Sequence, residues 1–190
     1  LRAARGIGSG TADNDIDANV MTLVATNMMS GDIQIDNGSG TNLTIGIVDS
    51  LAGLTNSGGA IRANNPNGTI TVDQPVATGA GSGGSLGLSG SLVINATVDG
   101  GQFDVTLNAN DDGDDDIAVN ANVTSGGGLG LSVSRDIIFS ATAQSIDSGS
   151  DITVSSDNDG DGVGGVRITA GGQVRAADDV TLTGSALSGV

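Results

Sequence analysis

The stretch that decides the fold is "GGSLGLSGSLVINATV", Gly83 to Val98. It opens on small turn residues and then alternates, with Leu86 and Leu88 spaced by one residue. A short polar interruption follows, then a second alternating pair, Leu92 and Ile94, with Val98 four residues further on. Apolar residues at a period of two mark strands with one buried face.

The same sentence is written along most of the chain. It recurs in "GDIQIDNGSGTNLTIGIV" (31–48), "GGAIRANNPNGTITVDQPV" (58–76), "GGQFDVTLNANDDGDDDIAVNANV" (100–123), "GGGLGLSVSRDIIFSATA" (126–143) and "GSDITVSSDNDGDGVGGVRITAGGQV" (149–174). The first pairs are Ile33/Ile35, Ile61/Ala63, Leu86/Leu88, Val105/Leu107, Leu129/Leu131 and Ile152/Val154, and Val180/Leu182 starts a seventh unit. The second pairs are Leu43/Ile45, Ile70/Val72, Leu92/Ile94, Ile117/Val119, Ile137/Phe139 and Val166/Ile168. The second member of the first pair returns after 28, 25, 19, 24, 23 and 28 residues, a solenoid-like spacing. One such unit cannot bury its own apolar face, so successive units must stack. The pattern predicts an all-β chain, a parallel β-solenoid (a right-handed β-helix) of about seven coils. At about 4.8 Å per coil that is a rod roughly 34 Å long. A β-sandwich is the rival, but it calls for regular hairpin turns, whereas here the loop between the two pairs varies widely in length.

Composition agrees. Of 190 residues 22 are acidic, all of them Asp, and 6 are basic, all of them Arg, for a net charge of −16. Glu and Lys, the usual fillers of exposed helix faces, are absent, while Gly, Thr, Asn, Val and Ile abound. At 37% hydrophobic residues the chain can build a core, and no apolar run reaches membrane-spanning length. The acidic charge argues against nucleic acid as a partner. With no His, Cys, Lys or Tyr, the inventory for catalysis shrinks to Asp, Ser and Thr.

Residues 1–30 fit the template poorly and read as an irregular first coil, built on Val20, Leu23 and Val24, or as a junction; coils occupy 31–190. Strand pattern runs to the carboxy end without a polar cap, which predicts a segment of a longer array or a unit stacking head to tail on other copies.

The repeat style of "RAARGIGS", "DANVMTLVAT", "SGDIQIDN" with "LTIGIVDSLAGLTNSGG", and "GGVRITAGGQVRAADDVTLTGS" resembles the β-helical repeats of filamentous-haemagglutinin-like giant bacterial surface proteins. The resemblance implies export to the cell surface or matrix and a role in adhesion or as a structural filament. It carries no catalytic motif.

Two acidic loops fall at one corner of the coil alignment. "DNDGDG" matches the first half of the calcium-loop pattern: Asp157, Asp159 and Asp161 would supply oxygens, Gly162 the turn and the Val163 carbonyl a further ligand. The twelfth position is Ile168 in place of the bidentate Glu, so this is not an EF-hand. The second loop holds Asp111, Asp112, Asp114, Asp115 and Asp116, two coils earlier, which places the loop bases about 10 Å apart. Crowded carboxylates invite a hard divalent cation such as Ca2+; the competing reading is a solvated turn that keeps the rod soluble.

The leading expectation is therefore a non-enzymatic structural segment of an extracellular filament or giant adhesin. A calcium-dependent module that binds surface glycans or proteins is the alternative. A polysaccharide-acting β-helix ranks last, because sugar sites favour aromatic platforms and the only rings are Phe103 and Phe139, both read as strand positions. Thr-x-Thr pairs do not recur coil after coil, which argues against an ice-binding face. Asn-x-Thr sequons begin at Asn42, Asn67, Asn95 and Asn122.

Overall fold

Alternating strands that have an apolar face but no partner within their own turn must find burial against the next turn. The computed structural model describes residues 1–8, 15–38, 40–79, 84–109, 114–140, 145–169 and 171–188. Among these, all regular structure is β, arranged as a parallel β-solenoid of about seven turns.

Three ladders run along the stack. The first joins Ile33–Asp36, Ile61–Val72, Leu86–Ile94, Val105–Ala109, Leu129–Val133, Ile152–Ser155 and Val180–Thr183. The second joins Leu43–Ile45, Ile117–Val119, Ile137–Phe139, Gly165–Ile168 and Ala186–Ser188. Strands Ile61–Val72 and Leu86–Ile94 run through the corner and belong to both. The third joins Ala25–Asn27, Leu54–Asn56, Val76–Thr78, Val98–Asp99, Val123–Ser125, Ile146–Ser148 and Val174–Ala176. Among the described strands every pairing is parallel except one small hairpin, Ile47–Val48 against Leu51–Ala52. That hairpin turns through Asp49 and Ser50, both at positive φ; the parallel pairing of the other strands disposes of the β-sandwich alternative.

Register makes the core. Ile33, Ile61, Leu86, Val105, Leu129 and Ile152 lie one above another, and the row Leu43, Ile70, Leu92, Ile117, Ile137 and Val166 does the same; all are buried. Each fully buried aliphatic contributes roughly 1.5–3 kcal/mol by leaving water. Phe139 takes an inward slot between Val119 and Ile168 and is buried. Phe103, read above as a strand residue, lies instead in the turn before Val105 and is half-buried.

The amino-terminal stretch stacks too. Ile16–Asp17 pairs with the first ladder, Thr22–Leu23 with the second, and Arg2–Ala3 with the third. Leu23 and Val24 are buried as expected, but Val20 is exposed; Ile7 and Ala25 fill the core in its place. Loop-length variation is also broader than the sequence suggested. It occurs between first and second strands and again between second and third, where the 47–52 hairpin is inserted.

The third corner is held by polar side chains that face inward. Asn27 Nδ2 donates to Asn56 Oδ1 at 2.9 Å and to Gly31 O at 2.8 Å; Asn56 Nδ2 donates to Ala60 O at 2.8 Å. Two coils from the far end the same row is Ser125 and Ser148, each hydroxyl directed at two turn carbonyls. Thr78 occupies this row buried, and its Oγ1 has no partner among the described residues. Beside it the backbone of adjacent coils closes so tightly that a Cβ at Gly84 would lie 2.0 Å from Gly59 C, which excludes any other residue.

A second polar device repeats on the outside. The residue just before a strand is often Asp or Asn, and its side-chain oxygen accepts the N–H of the equivalent residue one coil on. The instances are Asp32 with Ala60 (2.8 Å), Asn42 with Thr69 (3.2 Å), Asp104 with Gly128 (2.8 Å), Asp116 with Asp136 (3.0 Å), Asn122 with Ser145 (3.0 Å) and Asp151 with Asp179 (3.1 Å). Asp32, Asp104, Asp116 and Asp151 thus tie coil to coil.

Three substitutions test this account by denaturant midpoint. Leu107→Ala, in the middle of the core, lowers stability by about 2–5 kcal/mol. Thr78→Val removes an unpaired buried hydroxyl and raises stability by about 1 kcal/mol. Asp104→Ala costs about 1 kcal/mol, whereas Asp104→Asn, which keeps the acceptor, costs less.

Candidate metal centre

The loop that follows Ile152–Ser155 leaves the rod because its sequence lacks inward apolar residues and is rich in residues that adopt turns. Asp157 takes φ +60, a left-handed conformation that Asp tolerates better than most residues. Asn158 fastens the loop base: its N–H donates to Val133 O at 3.2 Å and its Nδ2 to Ser132 Oγ at 2.7 Å. The loop returns through Gly164 at φ +139, where a Cβ would lie 2.5 Å from Arg135 O, so the return path needs glycine.

Within this frame the ligand oxygens of Asp157, Asp159 and Asp161 all come within 4.8 Å of one another. Asp157 is half-buried; Asp159 and Asp161 are exposed. The loop also binds itself. Gly162 N–H donates to Asp157 Oδ1 at 3.0 Å, Val163 N–H to Asp161 Oδ1 at 2.7 Å, and Asp161 N–H to Asp159 Oδ1 at 3.5 Å. These donors hold the carboxylates together without an ion, and each leaves lone pairs that a hard cation could take. Val163 enters as a donor, with its side chain exposed.

The earlier acidic loop behaves differently. Asp111 and Asp112 lie outside the described residues. Among the described residues, Asp114, Asp115 and Asp116 join no group of three or more clustered carboxylates. Asp115 is buried and accepts from Ser91 Oγ at 2.7 Å, and Asp116 accepts Asp136 N–H. Asp114 pairs with the Arg135 guanidinium at 3.4 Å on the exposed surface. The expectation of one shared pool of carboxylates thus missed Arg135. It sits at the same corner of the intervening coil, its N–H bonded to Asp115 O and its carbonyl against Gly164. A cation built into the coil between them partly answers the crowding that had suggested a metal.

Elsewhere the surface offers shallow features. A cleft of about 510 Å³ at the amino-terminal end is lined by Leu1, Ile16, Leu23, Val24, Val48 and Leu51 among others. Two dents, about 330 and 230 Å³, lie over Gly87 and Gly130 on the outer face of the first ladder. Asp104 and Asp151 line the second, which is where a two-carboxylate mechanism would be sought, but each already serves as a coil-to-coil acceptor.

No protein-family model, curated protein or solved structure matches the chain.

Calcium titration followed by calorimetry should show one weak site that Asp159→Asn with Asp161→Asn abolishes. Asp114→Asn should leave it intact, and Arg135→Ala should change stability by less than about 1 kcal/mol, as befits an exposed pair.

Proposed function

We propose that the chain is a non-enzymatic structural segment of an extracellular bacterial filament, surface fibre or giant adhesin. The observation that carries this reading is the parallel pairing of three ladders along the stack. Such a stack resists bending and stretching, because each coil is hydrogen-bonded to the next through its ladder strands. It also extends by simple repetition: Val180–Thr183 and Ala186–Ser188 pair on one side only among the described residues, as do Ile16–Asp17 and Thr22–Leu23 at the opposite edge. A further coil, from the same chain or a second copy, fits there with the same polarity.

The side-chain inventory supports a mechanical role over a chemical one, since the chain lacks His, Cys, Lys, Glu and Tyr. Calcium at Asp157, Asp159 and Asp161 is an accessory in this reading, stiffening one acidic corner or bridging it to a neighbour. The resemblance to filamentous-haemagglutinin-like repeats is what points to the cell surface.

Electron microscopy of the purified chain, with and without chelator, tests the proposal. Rods that lengthen with concentration, and that Val180→Lys with Leu187→Lys shortens, are expected. A discrete monomer at every concentration would overturn end-to-end stacking, and indifference to chelator would overturn the cation.

A further inference from the structure

Two Asn–Gly pairs occur in the chain, Asn37–Gly38 and Asn67–Gly68, and the fold treats them in opposite ways. We propose that Asn67 is a site of spontaneous deamidation, with water as co-reactant and an aspartate or isoaspartate as product, while Asn37 is protected. The inference does not depend on the mechanical reading above.

Asn37 is fully buried and held on both ends of its amide: Oδ1 accepts Val20 N–H at 2.9 Å and Nδ2 donates to Asn65 Oδ1 at 2.9 Å. Its own N–H donates to Asn64 O at 2.8 Å. Asn67 is exposed, at φ +61, and its side chain holds no hydrogen bond among the described residues. It lies in the shift of register between Asn64 and Thr69, so residues 65–68 have no partner on the coil above. Pro66, just before it, has no N–H to lose. Rotation about the Asn67 backbone therefore breaks no ladder bond, and Gly68 brings no Cβ to obstruct its own nitrogen.

The chemistry follows. Gly68 N, losing its proton to solvent, bonds to Asn67 Cγ; the bond from Cγ to the side-chain nitrogen breaks and ammonia leaves. The resulting five-membered succinimide takes up water at one of its two carbonyls. Opening one way restores the normal chain as aspartate; opening the other way routes the backbone through the side chain as isoaspartate. No oxidant or reductant is involved. The product adds a carboxylate at the corner between the first and second ladders, outside the paired strands, and removes the sequon that Asn67 forms with Thr69.

The test is peptide mapping by mass spectrometry after incubation of the folded chain in mildly alkaline buffer, with ammonia release measured in parallel. Conversion at Asn67 is expected, as a mixture of the two acids. Asn37, which must first give up two hydrogen bonds, should react about thirtyfold more slowly. In denaturant the two pairs should converge. Asn67→Gly suits the left-handed backbone, keeps the fold by circular dichroism and should remove most of the ammonia release. Equal conversion of Asn37 and Asn67 in the folded chain would overturn the proposal, as would an intact Asn67 under conditions where the denatured chain reacts.

Discussion

Everything in this molecule depends on the vertical alignment of inward aliphatic side chains at the spacing of hydrogen-bonded strands. A row such as Ile33, Ile61, Leu86, Val105, Leu129 and Ile152 buries itself only because each residue stands over the last. A slip of one residue in any coil would turn its whole apolar set to solvent. The constraint reaches into composition. Side chains that occupy one slot must fit the slots above and below, so Val, Ile and Leu dominate and only one ring, Phe139, enters the stack. The same vertical spacing presses turn backbones together at the corners, which is why Gly84 and Gly164 have no room for a side chain.

Most of the first and second ladders was legible in the sequence, because a period of two is a local signal that survives any loop placed between pairs. The third ladder was half legible. Val76, Val98 and Val123 follow the second pair by four residues, but Leu54 and Ile146 lie beyond longer segments that hid the regularity. Val20 was misjudged for a related reason. In the first coil the choice among Ile7, Val20, Leu23 and Ala25 is settled by which strands find partners, and pairing is not a local property. The inward polar row of Asn27, Asn56, Ser125 and Ser148 could not be read at all, since the same residue types fill every loop.

The acidic loops divide along the same line. The spacing of Asp157, Asp159 and Asp161 is local, and the structure does bring their oxygens together. The fate of Asp114, Asp115 and Asp116 is set by Ser91 one coil below and by Arg135 and Asp136 one coil above, residues 20 or more positions away in sequence. Charge read along the chain looked like a surface coating; read across the stack, part of it is a set of fasteners.

Those fasteners have a sense. At the positions just before the strands, the acceptor belongs to the earlier coil and the N–H to the later one. The rod is therefore chemically unlike at its two faces, even where its backbone ladders are alike. A coil emerging in amino-to-carboxy order meets a negatively charged acceptor already in place on the coil that preceded it. Assembly in that direction is guided by charge before the aliphatic rows make contact. A chain that is threaded out from its amino end can thus fold behind itself, each turn serving as the template for the next.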